Sequence, residues 1–159
     1  MTVRATPVRG IAGSGPVAVR AESLLVQTDK RIELVDITET VMERVRRSGI
    51  REGIASLWSM HTTCALFINE AQAALHADIT RMLEQLVNRD AEWLHNDPQH
   101  SDCDRMNADS HLRAMFLGHS LTLQVSAGEP VLGQWQRILV AEMDGPRART
   151  VRVQVMGIA

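Results

Sequence analysis

The chain has 159 residues, 45% of them apolar, enough for one domain with a hydrophobic core and too few for two ordinary ones. Seventeen basic and nineteen acidic residues leave a formal charge of −2, and aromatics amount to 3% with no tyrosine. That balance argues against a dedicated nucleic-acid binder, which carries a basic excess and stacking platforms.

Residues 1–18 contain Arg, Pro and Gly but no apolar stretch of the secretory type, and are read as a flexible N-terminal extension before a single domain over 19–159. A21-E-S-L-L-V-Q-T28 and R31-I-E-L-V-D-I37 are read as a hairpin turning at Asp29-Lys30. A helix follows, with Thr38 as N-cap, Val41, Met42 and Val45 on one face, and Gly49 as the left-handed stop. I54-A-S-L-W-S-M60 has strand character and runs directly into His61, while A65-L-F-I68 is too short to type.

Leu75, Ile79, Met82, Leu83 and Leu86 form the apolar stripe of a second helix. Periodicity then vanishes from Arg89 to Met106, a long acidic loop of the kind that is usually functional or disordered. Asn107 is the expected N-cap of a short helix carrying Ala108, His111, Leu112 and Met115. S120-L-T-L-Q-V-S126 alternates as a strand, Val131 to Met143 is read as a longer one, and V151-R-V-Q-V155 alternates near the end, with turns at Ala127–Pro130 and Asp144–Pro146. Hairpin-like links imply an α+β fold with largely antiparallel sheet. No run of about 18 apolar residues predicts a membrane helix. Two cysteines without a C-x-x-C pair point to free thiols in a reducing cytoplasm.

Histidine carries the candidate chemistry. His76 is read as solvated on its helix, His119 as structural in a turn, and His100 is unassigned. His61 caps a strand and precedes Thr62 and Thr63, whose hydroxyls suit an anion; His95 lies in the loop; His111 projects from the first turns of a helix. Three neutral imidazoles converging from strand end, loop and helix would hold zinc or a related divalent ion. Asp97, Asp102, Asp104 and Asp109 are the oxygen-rich alternative for magnesium, and Cys64 is a weaker candidate partner of His61. Asn69 and Glu70 read either as helix capping or, for Glu70, as a general base. Trp135 and Gln136 are placed on opposite faces of a strand, with Arg137 beside them as a phosphate clamp. Glu142, Asp144, Arg147 and Arg149 cluster around a turn as a charged rim.

H61-T-T-C-A-L-F-I-N-E70, N107-A-D-S-H-L112, Gly118 and G133-Q-W-Q-R-I-L-V-A-E-M-D-G-P-R147 together resemble the YjbQ family, over roughly Ala21 to Gly157. Cys64 stands where the family pattern has a small residue, Trp93 where Tyr is common, and His119 where Pro is usual. The resemblance implies a two-sheet α+β sandwich with flanking helices, a homotrimer with pockets near subunit boundaries, and His61, His95 and His111 gathered where a metal or an anion can be held. It also implies a weak thiamine-phosphate synthase-like transferase, joining a hydroxymethylpyrimidine diphosphate to a thiazole phosphate with release of pyrophosphate. On that expectation His61, Glu70 and His111 are catalytic. Thr62, Thr63, Asn69, Asn107, Trp135, Gln136 and Arg137 bind substrate or anion, a divalent metal (zinc or magnesium) assists, and no organic cofactor, nucleic acid or membrane is involved. Two other classes stand beside it, a metal-dependent hydrolase with Glu70 as base and a non-catalytic trimeric metabolite or metal binder.

Overall fold

The computed structural model describes residues 13–159. Residues 1–12 of the expected extension lie outside the described residues, and the first strand begins at Ala18. The elements run β1 (Ala18–Gln27), β2 (Glu33–Asp36), α1 (Thr38–Ser48), β3 (Glu52–Ser59), β4 (Cys64–Asn69), α2 (Ala73–Leu86), α3 (Ala108–Leu117), β5 (Ser120–Ser126), β6 (Glu129–Pro130), β7 (Arg137–Glu142) and β8 (Ala148–Ile158), with one 3₁₀ turn at Leu94–Asn96. Every strand pairing is antiparallel. One sheet has the order β1-β8-β3-β5-β6, the other β2-β7-β4. The α+β reading holds.

The layers follow from which side chains are apolar. β5 and β8 alternate because only one face of their sheet is covered: Leu123 and Val125, and Val151, Val153 and Val155, point inward. They meet Cys64, Leu66, Ile138 and Val140 from the smaller sheet, and Val41 and Val45 of α1 close the same core. The smaller sheet is covered twice. Its other face puts Ala65 and Ala141 against Ile79 and Leu83 of α2 and Ala114 of α3. That is why β7 reads I-L-V-A without alternation and why its residues from Ile138 to Glu142 are all buried. Each fully buried Leu or Val contributes roughly 1.5–3 kcal/mol.

Three expectations fail for identifiable reasons. β1 and β2 are not a hairpin: β1 pairs with β8 over its whole length, and β2 pairs with β7 in the other sheet. Residues 28–32 make a corner between sheets instead. The Thr28 hydroxyl bonds Glu142, the Glu33 carboxylate accepts the Asp29 and Lys30 N–H groups, and Gly145 N–H bonds the Arg31 carbonyl. Gly145 is required there, since a Cβ would lie 2.4 Å from the Lys30 carbonyl oxygen. Thr38 is the first helical residue rather than the N-cap; its hydroxyl accepts the Ile138 N–H at 2.8 Å, so it joins α1 to β7. The strand expected from Val131 to Met143 shrinks to Arg137–Glu142, because Gly133–Gln136 is a turn closed by Gln136 N–H to the Gly133 carbonyl and by Gly133 N–H to Gln136 Oε1. Gly49 stops α1 as expected, at φ 72°.

Asp109 is fully buried in α3 and pairs with Arg113 at 3.0 Å and Arg31 at 3.1 Å. Removing one partner of such a pair strands the other charge. Asp109→Ala is expected to lower the unfolding free energy in urea by about 3–5 kcal/mol, whereas Asp78→Ala, which breaks only an exposed pair with Arg81, should cost less than about 1 kcal/mol. Similar losses for both would remove the buried network from the list of what holds α3 in place.

Candidate functional site

Three segments converge where β3 ends, β4 begins and β7 turns into β8. The β3–β4 turn is held by the Ser59 hydroxyl donating to the Cys64 carbonyl at 2.7 Å, and it carries His61, Thr62 and Thr63. α3 is pinned beside it, because the Ser110 hydroxyl donates to the Met143 carbonyl at 2.6 Å. Asn107 occupies the expected N-cap position but does not cap with its side chain; its amide donates to Asp144 at 2.8 Å. The capping atom is Asn96 Oδ1, which accepts the Ala108 N–H at 3.0 Å. That bond clips the 3₁₀ turn onto α3 and brings His95 edge-on to His111, with ring centroids 4.9 Å apart and planes at 83°.

The result is a polar cleft of about 490 Å³. His61, His95 and His111 line it together with Thr62, Thr63, Asn107, Arg105, Arg147, Asp144 and Cys103. Its floor is the buried pair Glu142–Arg149; Arg149 also donates to Thr63 Oγ1 at 2.9 Å, so the Thr63 hydroxyl is committed to the scaffold. Asp144 accepts from Arg105 at 3.0 Å and pairs with Arg147 at 3.2 Å. Three guanidiniums therefore face two carboxylates, a surplus of one positive charge before the imidazoles are counted. Behind His95 and His111 lies a second, apolar hollow of about 320 Å³, walled by Trp93, Leu94, Ala108 and Leu112. The two imidazoles line both spaces.

A family model described as UPF0047 protein YjbQ-like matches residues 22–158. The chain belongs to the YjbQ-like family. A UPF0047 protein of Methanothermobacter thermautotrophicus is 47% identical over 139 residues, covering 87% of this chain and 93% of that protein. One from Archaeoglobus fulgidus is 42% identical, covering 84% and 98%. Among solved structures, a YbjQ-like protein of unknown function from Sulfolobus solfataricus P2 superposes with TM-score 0.83 at 36% identity, covering 89% of this chain and 99% of that one.

Within this YjbQ-like chain the expected site residues divide into two groups. His61, Thr62, Thr63, His95, Asn107 and His111 come together in the cleft. Asn69, Glu70, Trp135, Gln136 and Arg137 do not. β4 and β7 pair Cys64 with Glu142 at the cleft end and Asn69 with Arg137 at the other, five residues or roughly 17 Å away. There Asn69 Oδ1 accepts the Glu70 N–H, Gln136 closes its own turn, Trp135 is exposed, and Arg137 is paired with Asp36 and Glu39. The opposite-faces placement of Trp135 and Gln136 falls with the shortened strand. Sequence alone assigns no site role to Arg105 or Cys103, and marks Trp93 only as a departure from the family pattern; all three lie in the aperiodic loop, where no spacing shows which residues fold back. Arg147 and Asp144, read as rim, line the cleft directly.

The imidazoles do not offer a three-nitrogen ligand set as they stand, because His61 Nε2 is already the acceptor of the Thr150 N–H at 2.8 Å. Among the described residues no three His, Cys, Asp or Glu side chains gather as ligands. The loop aspartates are dispersed: Asp97 pairs with His100, Asp109 is locked between arginines, and neither these two nor Asp102 and Asp104 line the cleft. Cys64 points into the sandwich core, where burial pushes its thiol up to about 11 and leaves it unreactive.

Burial lowers the pKa of both His61 and His111 below the ordinary imidazole value of 6.5. Arg149 adds to the shift at His61 against the pull of Glu142; His95 adds to it at His111 against Asp144 and Asp109. Between the lowered folded values and 6.5, the unfolded chain holds more protons than the folded one. This stability is therefore present above about pH 6.5 and lost as pH falls through the folded values. The urea midpoint should drop between pH 7 and pH 5, and drop less steeply in a His61→Gln/His111→Gln variant. Equal slopes would place the acid sensitivity elsewhere.

Proposed function

We propose that the cleft binds a phosphorylated small molecule and carries a thiamine-phosphate synthase-like transfer. The observation that carries this reading is the pairing of spaces. A cationic cleft rich in N–H donors shares the His95–His111 wall with an apolar hollow, which suits a ligand with an anionic end and a flat, weakly polar body. In the reaction, the thiazole nitrogen attacks the methylene of the pyrimidine diphosphate. The carbon–oxygen bond breaks, and its electron pair leaves on pyrophosphate. Arg105 and Arg147, with the His61 and Thr62 donors, neutralise charge on that leaving group as it forms. His111 and His95 hold the reacting carbon between the two spaces, and Trp93, which walls the apolar hollow, takes the substrate-binding place expected of Trp135. Glu70 has no part in this arrangement. A hydrolase using it as base loses support, since Glu70 lies at the far end of β4.

Met115 and Phe116 of α3 and Leu86 of α2 are exposed apolar side chains of the kind that the self-association implied by the resemblance would cover. Light scattering should return three times the 17.6 kDa chain mass; a monomer in dilute solution would count against a trimer.

Purified wild type should form thiamine phosphate from the two precursors. His111→Ala, folded by circular dichroism, should lose at least about tenfold in rate, or ~1.4 kcal/mol of transition-state stabilisation. No product from wild type, or equal traces from both proteins, would remove the transferase reading and leave the binder.

A further inference from the structure

His61 completes a β-ladder with its side chain. The Met60 N–H donates to the Thr150 carbonyl at 3.0 Å, just beyond the last residue of β3. The reciprocal bond of that pair, from the Thr150 N–H to the Met60 carbonyl, is not made; the Thr150 N–H donates instead to His61 Nε2 at 2.8 Å. A part-buried backbone N–H needs an acceptor, and a neutral imidazole has one lone pair and one N–H to give. The lone pair is therefore on Nε2 and already used, and the proton is on Nδ1. For Nδ1 to ligate a cation, the Nε2 position would have to carry a proton against the Thr150 N–H, two donors face to face.

The ring lines the cleft, so what it offers a ligand there is a donor. A second donor in the same wall is also without an acceptor: Arg147 Nε is buried and has no hydrogen-bond partner among the described residues, while Nη2 of the same guanidinium lies 3.2 Å from Asp144. Arg105 approaches from the loop side and is held by the same carboxylate. Donors without acceptors around a cationic cleft are the chemistry of an oxyanion.

We propose that His61 is the fixed Nδ1–H donor of an oxyanion subsite, shared with Arg147 and Arg105 and shaped for a phosphate or pyrophosphate group, and is not a metal ligand. Only the identification of that group as part of a substrate rests on the transferase reading. The tautomer and the anion affinity are properties of the protein alone.

The test uses full-length protein with ¹⁵N-labelled histidine and correlates ring nitrogens with ring protons at pH 7.5, the His61 signals being those lost in His61→Gln. That variant keeps an acceptor for Thr150 and so preserves the ladder. The expected pattern has the proton on Nδ1 and a lone pair on Nε2. One equivalent of zinc should leave the His61 nitrogens in place. Inorganic pyrophosphate should move Nδ1–H, with affinity falling at least tenfold in Arg147→Gln. A proton on Nε2, or a zinc-induced shift of Nδ1, would overturn the donor assignment. The stated tautomer without any response to pyrophosphate would overturn the subsite. Pyrophosphate binding alongside a failed thiamine phosphate assay would keep the subsite and discard only the reaction.

Discussion

The structure around the cleft hangs on one buried ion pair. Glu142, at the end of β7, is fully buried, and Arg149, near the start of β8, is 2% exposed. Removing two such charges from water costs several kcal/mol each, and the pair is tolerable only when the remaining donors and acceptors are also matched. Here they are. Glu142 accepts from Nε and Nη2 along one edge of the Arg149 guanidinium, from the Thr28 hydroxyl and from the Asp144 N–H, while Arg149 also reaches the Thr63 hydroxyl. Four separate stretches of chain are fixed by this one set of contacts: the end of β1, the β3–β4 turn, the end of β7 and the start of β8. Thr150, which orients His61, is the neighbour of Arg149. Asp144, which gathers Asn107, Arg105 and Arg147, is two residues from Glu142. The geometry of the cleft is a consequence of a charge that must be satisfied.

That arrangement also decides the electrostatic character of the site. Arg149 is neutralised in place, so the cation available to a ligand comes from Arg147 and Arg105, which share the single carboxylate of Asp144. His61 and His111 contribute N–H groups without adding charge, since burial, Arg149 and His95 hold them toward the neutral form. The apolar hollow behind His95 and His111 gives the same site a dry side, so polar and apolar parts of one ligand can be held across two side chains.

Much of the architecture was readable because its signals are local. The alternation of S120-L-T-L-Q-V-S126 and V151-R-V-Q-V155 reports a sheet with one covered face, and Gly49 reports a helix stop, through the geometry of the residues themselves. The motifs around His61 and His111 also located half of the site. The other half of the expected residues went astray for a common reason. Asn69, Glu70, Trp135, Gln136 and Arg137 are near His61 or Asp144 in sequence, but β4 and β7 are extended and carry them to the far end of the sheet. Proximity along a strand is distance in space. The β1–β2 hairpin failed in the opposite way, since adjacent strands with a short link went to different sheets once Thr28 was claimed by Glu142.

The sequence by itself determined which segments could be helix or strand, which faces were apolar, and that imidazoles stood at a strand end and in the first turns of a helix, because periodicity and capping act over a few residues. Only the tertiary structure decided that His61 spends its lone pair on the Thr150 N–H, that Asn96 brings His95 to His111, and that Arg105 and Arg147 meet over Asp144. Those facts depend on hydrogen bonds and ion pairs between residues far apart in the chain, and no spacing along the sequence encodes which distant donor will find which acceptor.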